Sequence, residues 1–267
     1  MEIIGFVASV LMGLSLGLIG GGGSILTVPI LVYLFGINPV VSTSYSLFVV
    51  GLTSLIGSYS HFRAGNLDGK TAAIFGIPSI VAVYLTRKFG VPMIPDPVFS
   101  LGSMPITKDG FILLLFALIM ILAAFSMIRK TKREVVDCKQ PIRYNVPLII
   151  GEGVLVGAIT GLVGAGGGFL IIPALVLLGG LCMKKAVGTS LLIIALKSLI
   201  GFTGDLSSGL ELDFTFMLLF AGFAALGIVG GTLLSRTVPN EKLKPAFGWF
   251  VLVMGVFIIS EEMLLTI

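Results

Sequence analysis

Apolar positions in this chain run unbroken for about twenty residues at a time, parted by short polar segments. Full membrane-spanning segments are expected near 41–60, 70–86, 110–128, 187–203, 214–235 and 245–262. Each approaches the ~20 helical residues that cross a hydrocarbon core of roughly 30 Å. Lipid admits only helices or closed barrels, and these runs are continuous rather than alternating, so helices are expected. Two further apolar stretches, 1–36 and 147–182, are about 35 residues long. That length exceeds one straight span and falls short of two.

Each of these stretches carries a glycine cluster in its middle. Gly17-Leu-Ile-Gly20-Gly21-Gly22-Gly23-Ser24, followed by Pro29, returns as Gly161-Leu-Val-Gly164-Ala165-Gly166-Gly167-Gly168, followed by Pro173. Aligning the prolines gives an offset of 144 residues, at which Gly13, Gly17, Gly20, Gly22 and Gly23 all fall on glycines. Helices broken at matching places in two halves of a membrane protein point to a transport site. The expected fold is an all-α polytopic membrane protein of two inverted repeats, each a re-entrant hairpin of two short helices followed by three transmembrane helices. The first repeat covers 1–128, a basic cytoplasmic linker 129–146, and the second repeat 147–267.

A single crossing followed by a surface helix is the competing reading of each hairpin, and charge separates the two. With hairpins, thirteen Lys and Arg residues fall in cytoplasmic loops and three outside; with single crossings the loops hold eight and eight. Loop Lys and Arg concentrate on the cytoplasmic side, so the hairpins are preferred. Arg87, Lys88 and Lys108 are the three outside, and both termini are extracytoplasmic.

Composition agrees: 56% of residues are hydrophobic and 11% charged, with a mean hydropathy of +1.13. Soluble domains lie far from these values. The first apolar run lacks a basic leader and enters the glycine motif directly, unlike a cleaved signal peptide. The excess of basic residues reads as cytoplasmic loops, not as a nucleic-acid surface. Cys138 and Cys182 have no CxxC partner, so nothing argues for a disulfide or a structural metal. No cofactor is implied.

A glycine run at a hairpin tip lets the chain reverse cheaply. The second short helix then begins near Ser24 or Gly168 with unpaired N–H groups at the positive end of its dipole, an arrangement that attracts anions. The candidate substrate-binding set is therefore Gly20, Gly21, Gly22, Gly23 and Ser24 with Gly164, Ala165, Gly166, Gly167 and Gly168. Two such starts are expected to face each other near the midplane. Close helix packing is the competing account, and it suits the outer pairs Gly13/Gly17 and Gly157/Gly161.

Lys197 lies about ten residues from either end of its span, roughly 15 Å from each surface and beyond the reach of a snorkelling stem. It reads as an anion-site or coupling lysine, with a helix-locking pair to Glu152 as the alternative. Thr43-Ser44 and Thr189-Ser190 align when the offset grows to 146, and each pair opens the span after its hairpin. They read as helix caps or as substrate contacts. Glu152 is the candidate coupling residue. His61 is the sole histidine; it reads as interfacial, with a proton relay as the lesser role, and it cannot support a histidine-based catalytic or metal cluster.

The repeated GLxGxGGGxxxxP pattern from Gly17 to Pro29 and Gly161 to Pro173, the Thr-Ser pairs and the stretch Ser60-His-Phe-Arg-Ala-Gly-Asn-Leu-Asp-Gly-Lys70 resemble the sulfite exporter TauE/SafE family. The resemblance covers nearly the whole chain. It implies a secondary transporter of small sulfur-containing anions such as sulfite, sulfoacetate or related organosulfonates, acting as an exporter. Ser24 departs from the second copy's Gly168, and 87–109 is longer than its counterpart at 236–245, which leaves the identity of the anion open.

An interior-negative potential drives anions outward with about 2.3 kcal/mol per charge per 100 mV, so export needs no ATP. The glycine runs lack the GK[ST] ending of a phosphate loop. An anion channel and an importer of a small oxyanion or carboxylate are the alternatives. An intramembrane serine protease is disfavoured because the one histidine sits at a surface. The expected setting is the plasma membrane, the expected partners are a small anion and the lipid bilayer, and a homodimer is left open.

Overall fold

The structure is a computed structural model that describes residues 2–101, 104–128, 146–177, 179–207, 209–234 and 240–265. The linker expected at 129–146 falls almost wholly outside these residues, as do Cys138 and Arg236.

Ten helical segments account for nearly all of the described chain. They are α1 (Glu2–Ile19), α2 (Gly22–Leu34), α3 (Pro39–Arg63), α4 (Gly69–Met93), α5 (Lys108–Ile128), α6 (Val146–Val163), α7 (Gly168–Leu177), α8 (Met183–Leu206), α9 (Phe214–Leu234) and α10 (Asn240–Leu265). The loop before α5 adds a short antiparallel ribbon, β1 (Phe99–Leu101) with β2 (Met104–Ile106). Among the described residues six helices, α3, α4, α5, α6, α8 and α9, are long and apolar enough to cross a membrane. Their outward faces are apolar, as Leu226, Val229 and Leu233 on α9 show, which suits contact with lipid rather than water.

Five expected spans correspond to α3, α4, α5, α8 and α9, and the run at 245–262 lies within α10. The expected pair of short helices in each hairpin needs correction. The first limbs α1 and α6 have 18 residues each, about 27 Å of helix, and α6 alone satisfies the length and hydropathy of a span. Only the return limbs are short. The reason is positional, because each glycine break falls at the end of an 18-residue helix and not midway along a shared apolar run.

The hairpins themselves are present. Gly5, near the start of α1, lies against the Phe35 ring beyond the end of α2, and the rings of Phe6 and Phe35 are 5.3 Å apart. The chain therefore leaves from the level at which it entered. In the second hairpin Ile149 at the start of α6 is buried in one cluster with Leu175 and Leu181.

Glycines set the packing of the first limbs. An added Cβ on Gly17 would lie 2.7 Å from the Ile228 carbonyl, so α1 runs close beside α9. Gly153 and Gly157 bring α6 equally close to the carbonyls of Phe75 and Ser79 on α4. The pairing is reciprocal, since each first limb packs against the second long helix of the other half. The long helices α3 and α8 cross at the centre with Gly51 against Leu199 and Gly188 against His61, and α5 packs on α10. One end of the bundle gathers Asn38, Asp96, Asp109, Asp213 and Glu262, linked by bonds such as Asn38 Nδ2 to Asp109 Oδ2 at 2.6 Å. His61, Asn66, Asp68 and Lys184 cluster at the other.

Candidate anion site between the glycine breaks

The two glycine breaks touch. A Cβ on Gly21 would lie 2.8 Å from the Gly168 Cα, and a Cβ on Gly168 would strike the Gly21 backbone. Gly21 also has φ +96, a left-handed conformation that side-chain-bearing residues rarely adopt. Val50 of α3 and Ile194 of α8 close around Gly166. The tips do not meet head-on. Each reaches past the other toward the first turns of the opposite central helix, Gly20 to Val187 and Gly164 to Thr43, and the contact falls at the starts of the return limbs.

Those starts differ. Gly168 begins the regular helix α7. The first break leads into a 3₁₀ turn at Gly22–Leu26 and then, after one α-turn, a π-turn at Ile30–Leu34. Ser24 is fully buried and its hydroxyl donates to the Gly21 carbonyl at 2.8 Å. Gly22 and Gly23 are likewise buried, with Gly23 pressed on Ser15 and Leu16 of α1; Ala165 is buried opposite them.

Lys197 is wholly buried beside the second break. Its Nζ donates to Thr160 Oγ1 at 2.6 Å, and a Cβ on Gly167 would lie 3.0 Å from the same Nζ. Gly167 has φ +72, so the turn that brings its backbone to the ammonium depends on glycine. Among the described residues no carboxylate lies within 4.0 Å of Lys197. The alternative pair with Glu152 is thereby corrected. Glu152 is half-buried on α6, eight residues or about 12 Å of helix from Thr160.

The Thr-Ser pairs are not caps. Asn38 caps α3, its Oδ1 accepting from Val40 N at 2.9 Å, and Thr43 and Ser44 lie buried one turn further in. Thr43 Oγ1 donates to the Val40 carbonyl at 2.7 Å and accepts from Arg87 Nη1 at 3.0 Å. Thr189 Oγ1 accepts from the Asp68 N–H at 3.0 Å, and Ser190 bonds back to Val187. His61 lines an open cavity of about 500 Å³ with Gly17, Asn66, Lys184 and Val187, next to the first tip.

Sequence reasoning missed two features. Thr160 gave no signal, because a threonine in an apolar helix normally bonds back along its own helix, as this one also does to Val156. Arg87, assigned to a loop, is wholly buried and forms an ion pair with Asp205 at 3.5 Å. A signal existed for it. Phe75, Ser79, Val83 and Arg87 recur at four-residue spacing and are all buried, so Arg87 belongs to the inward face of α4. The absence of a disulfide is also corrected, since Cys182 is disulfide-bonded.

The model of the sulfite exporter TauE/SafE family matches residues 5–258. A "probable membrane transporter protein" of Xylella fastidiosa (strain 9a5c) is 29% identical over 254 residues, covering 93% of this chain and 91% of that protein. YunE of Bacillus subtilis (strain 168), of the same description, is 27% identical over 278 residues, covering 96% and 98%. MJ0441 of Methanocaldococcus jannaschii, also so described, is 29% identical over 216 residues, covering 78% and 72%. No solved structure matches the chain. This multi-pass membrane protein belongs to the sulfite exporter TauE/SafE family.

Proposed function

We propose that the chain is a secondary transporter that exports small sulfur-containing anions, such as sulfite, sulfoacetate or another organosulfonate, across the plasma membrane. The observation that carries this reading is the buried Lys197 ammonium, held by one hydroxyl and a glycine turn with no carboxylate within ion-pair distance among the described residues. A buried charge without a counter-ion costs several kcal/mol. An anion arriving beside Gly167 removes that cost, and the start of α7 adds N–H groups aligned with the helix dipole.

Two inverted repeats, 1–128 and 147–267 flanking the linker, provide the moving parts. The reciprocal packing of α1 on α9 and of α6 on α4 supports that division. The end carrying Arg63, Lys70, Lys184 and Lys185 is cytoplasmic on this reading, both termini lie outside, and the cavity beside His61 opens toward the cytoplasm. Thr189 and Ser190 sit on its approach, Thr43 and Ser44 on the exit. Rocking of one repeat against the other separates the Gly21–Gly168 contact and exposes the anion to each side in turn. His61 and Glu152 are the residues available for proton coupling.

Proteoliposomes loaded with sulfite, sulfoacetate, taurine or sulfate test the reading. Saturable efflux with counterflow of one of the sulfur anions, lost in Lys197→Met, supports it. Equal flux in wild type and Lys197→Met removes the site, and unitary conductance would make the protein a channel.

A further inference from the structure

Arg87, like Lys197, is a fully buried cation among the described residues, and the reading above gives it no task. It lies in a π-turn of α4 at Thr86–Gly90. Gly204 of α8 faces it, since a Cβ there would lie 3.0 Å from the Arg87 Cβ. Its neighbour Thr86 packs on Gly161, and Gly164 of the same glycine break packs on Thr43. Arg87 therefore stands between the tip of the second hairpin and the last turn of α8. Asp205 follows Lys197 by eight residues on that helix, about 12 Å and the same face.

The guanidinium is only half used. Nη1 donates to Thr43 Oγ1 at 3.0 Å and lies 3.5 Å from Asp205 Oδ2. Nε and Nη2 are buried without a hydrogen-bond partner among the described residues. These two atoms form one edge of the planar fork, spaced to meet two oxygens of a single oxyanion. Leaving such donors dry and unpaired is costly, so an ion pair sought only for stability would have engaged them. With Thr43 and Asp205 fixing Nη1, the open edge is held in one orientation.

We infer that Arg87 forms a second anion station, gripping a sulfur oxyanion side-on through Nε and Nη2 at the end of the path opposite the His61 cavity. The inference rests on the reading of the chain as an oxyanion transporter. Asp205 is a positioning residue with a second effect: its carboxylate beside the bound anion weakens the grip and allows release.

The test measures thermal stabilisation of the purified full-length protein by sulfite and by sulfate, against chloride at equal ionic strength, in a Lys197→Met background that silences the inner site. Stabilisation is expected to persist in Lys197→Met, to vanish when Arg87→Lys is added, and to appear at about tenfold lower anion concentration when Asp205→Asn is added. If Arg87→Lys cannot be purified, the Asp205→Asn arm decides alone, tighter binding supporting the station and weaker binding overturning it. Absence of any oxyanion-specific stabilisation, its survival in Arg87→Lys, or equal loss in both variants overturns the inference; the last result marks a structural ion pair only. Proteoliposome flux is read in parallel. Arg87-dependent binding without flux defeats the transport reading and leaves the station, whereas flux without Arg87-dependent binding does the reverse.

Discussion

Lys197 Nζ donates to Thr160 Oγ1 at 2.6 Å, and this bond ties the central helix α8 to the first limb of the second hairpin at the point where the glycine turn begins. The ammonium thus joins two helices of the second half beside the glycine turn. Lys197→Met is expected to lower efflux at least 100-fold with normal membrane insertion. Thr160→Val removes the hydroxyl bonded to a buried ammonium, worth about 1.5–3 kcal/mol for a hydrogen bond to a charged group, and is expected to change apparent affinity by roughly 10- to 100-fold. Flux in proteoliposomes at matched protein levels measures both, and an undiminished Lys197→Met would contradict the account.

Gly21→Ala combines a left-handed backbone with a clash against Gly168 at 2.8 Å, two causes that together cost about 2–4 kcal/mol. Gly222 of α9 is the control, because a Cβ there meets nothing within 4 Å. Gly222→Ala is expected to stay within roughly 0.5 kcal/mol, as surface substitutions do. Thermal unfolding in detergent separates the two, and equal midpoints would show that the breaks do not press on each other.

Gly13 and Gly157 stand 144 residues apart and do the same work at opposite interfaces. Gly13 meets Ala224 of α9, and Gly157 meets Ser79 of α4, 2.5 Å from its carbonyl. Leucine at either position is expected to disrupt packing to a similar degree, whereas Gly151→Leu, with nothing within 4 Å, is expected to be tolerated. The yield of folded, monodisperse protein reads this directly. Tolerance of one interface with collapse of the other would break the equivalence of the halves.

Much of the candidate site is legible because its signals are violations of what lipid demands. Glycines that remove helix-forming side chains from an apolar run, and a lysine beyond snorkelling distance, stand out against any apolar background. Arg87 and Asp205 did not, because both sit near the ends of apolar runs, where a charge ordinarily reaches water. The four-residue recurrence from Phe75 to Arg87 distinguishes Arg87 alone. The limb lengths were hidden for another reason. A helix that ends in a glycine turn and one interrupted by it share the same composition, and only the contact of Gly5 with Phe35 reveals where the chain turns back.

The proposed orientation, with the basic end facing the cytoplasm, yields its own outcome. In a background with Cys138 and Cys182 replaced by serine, a cysteine at Asp96 or Asp213 is expected to react with an impermeant maleimide in intact cells. A cysteine at Asn66 or Lys184 is expected to react only after permeabilisation. The reverse pattern would invert the topology and the proposed direction of export.

The central claim is that a sulfur-type oxyanion sits against the Lys197 ammonium between the two glycine breaks. Selenite or selenate carries a selenium atom whose anomalous scattering locates it in a crystal of the full-length protein. The account predicts a selenium peak with an oxygen about 3 Å from Lys197 Nζ, beside Gly167 and the start of α7. Selenium bound elsewhere, with Lys197 still bonded to Thr160 and nothing beside Gly167, would contradict it.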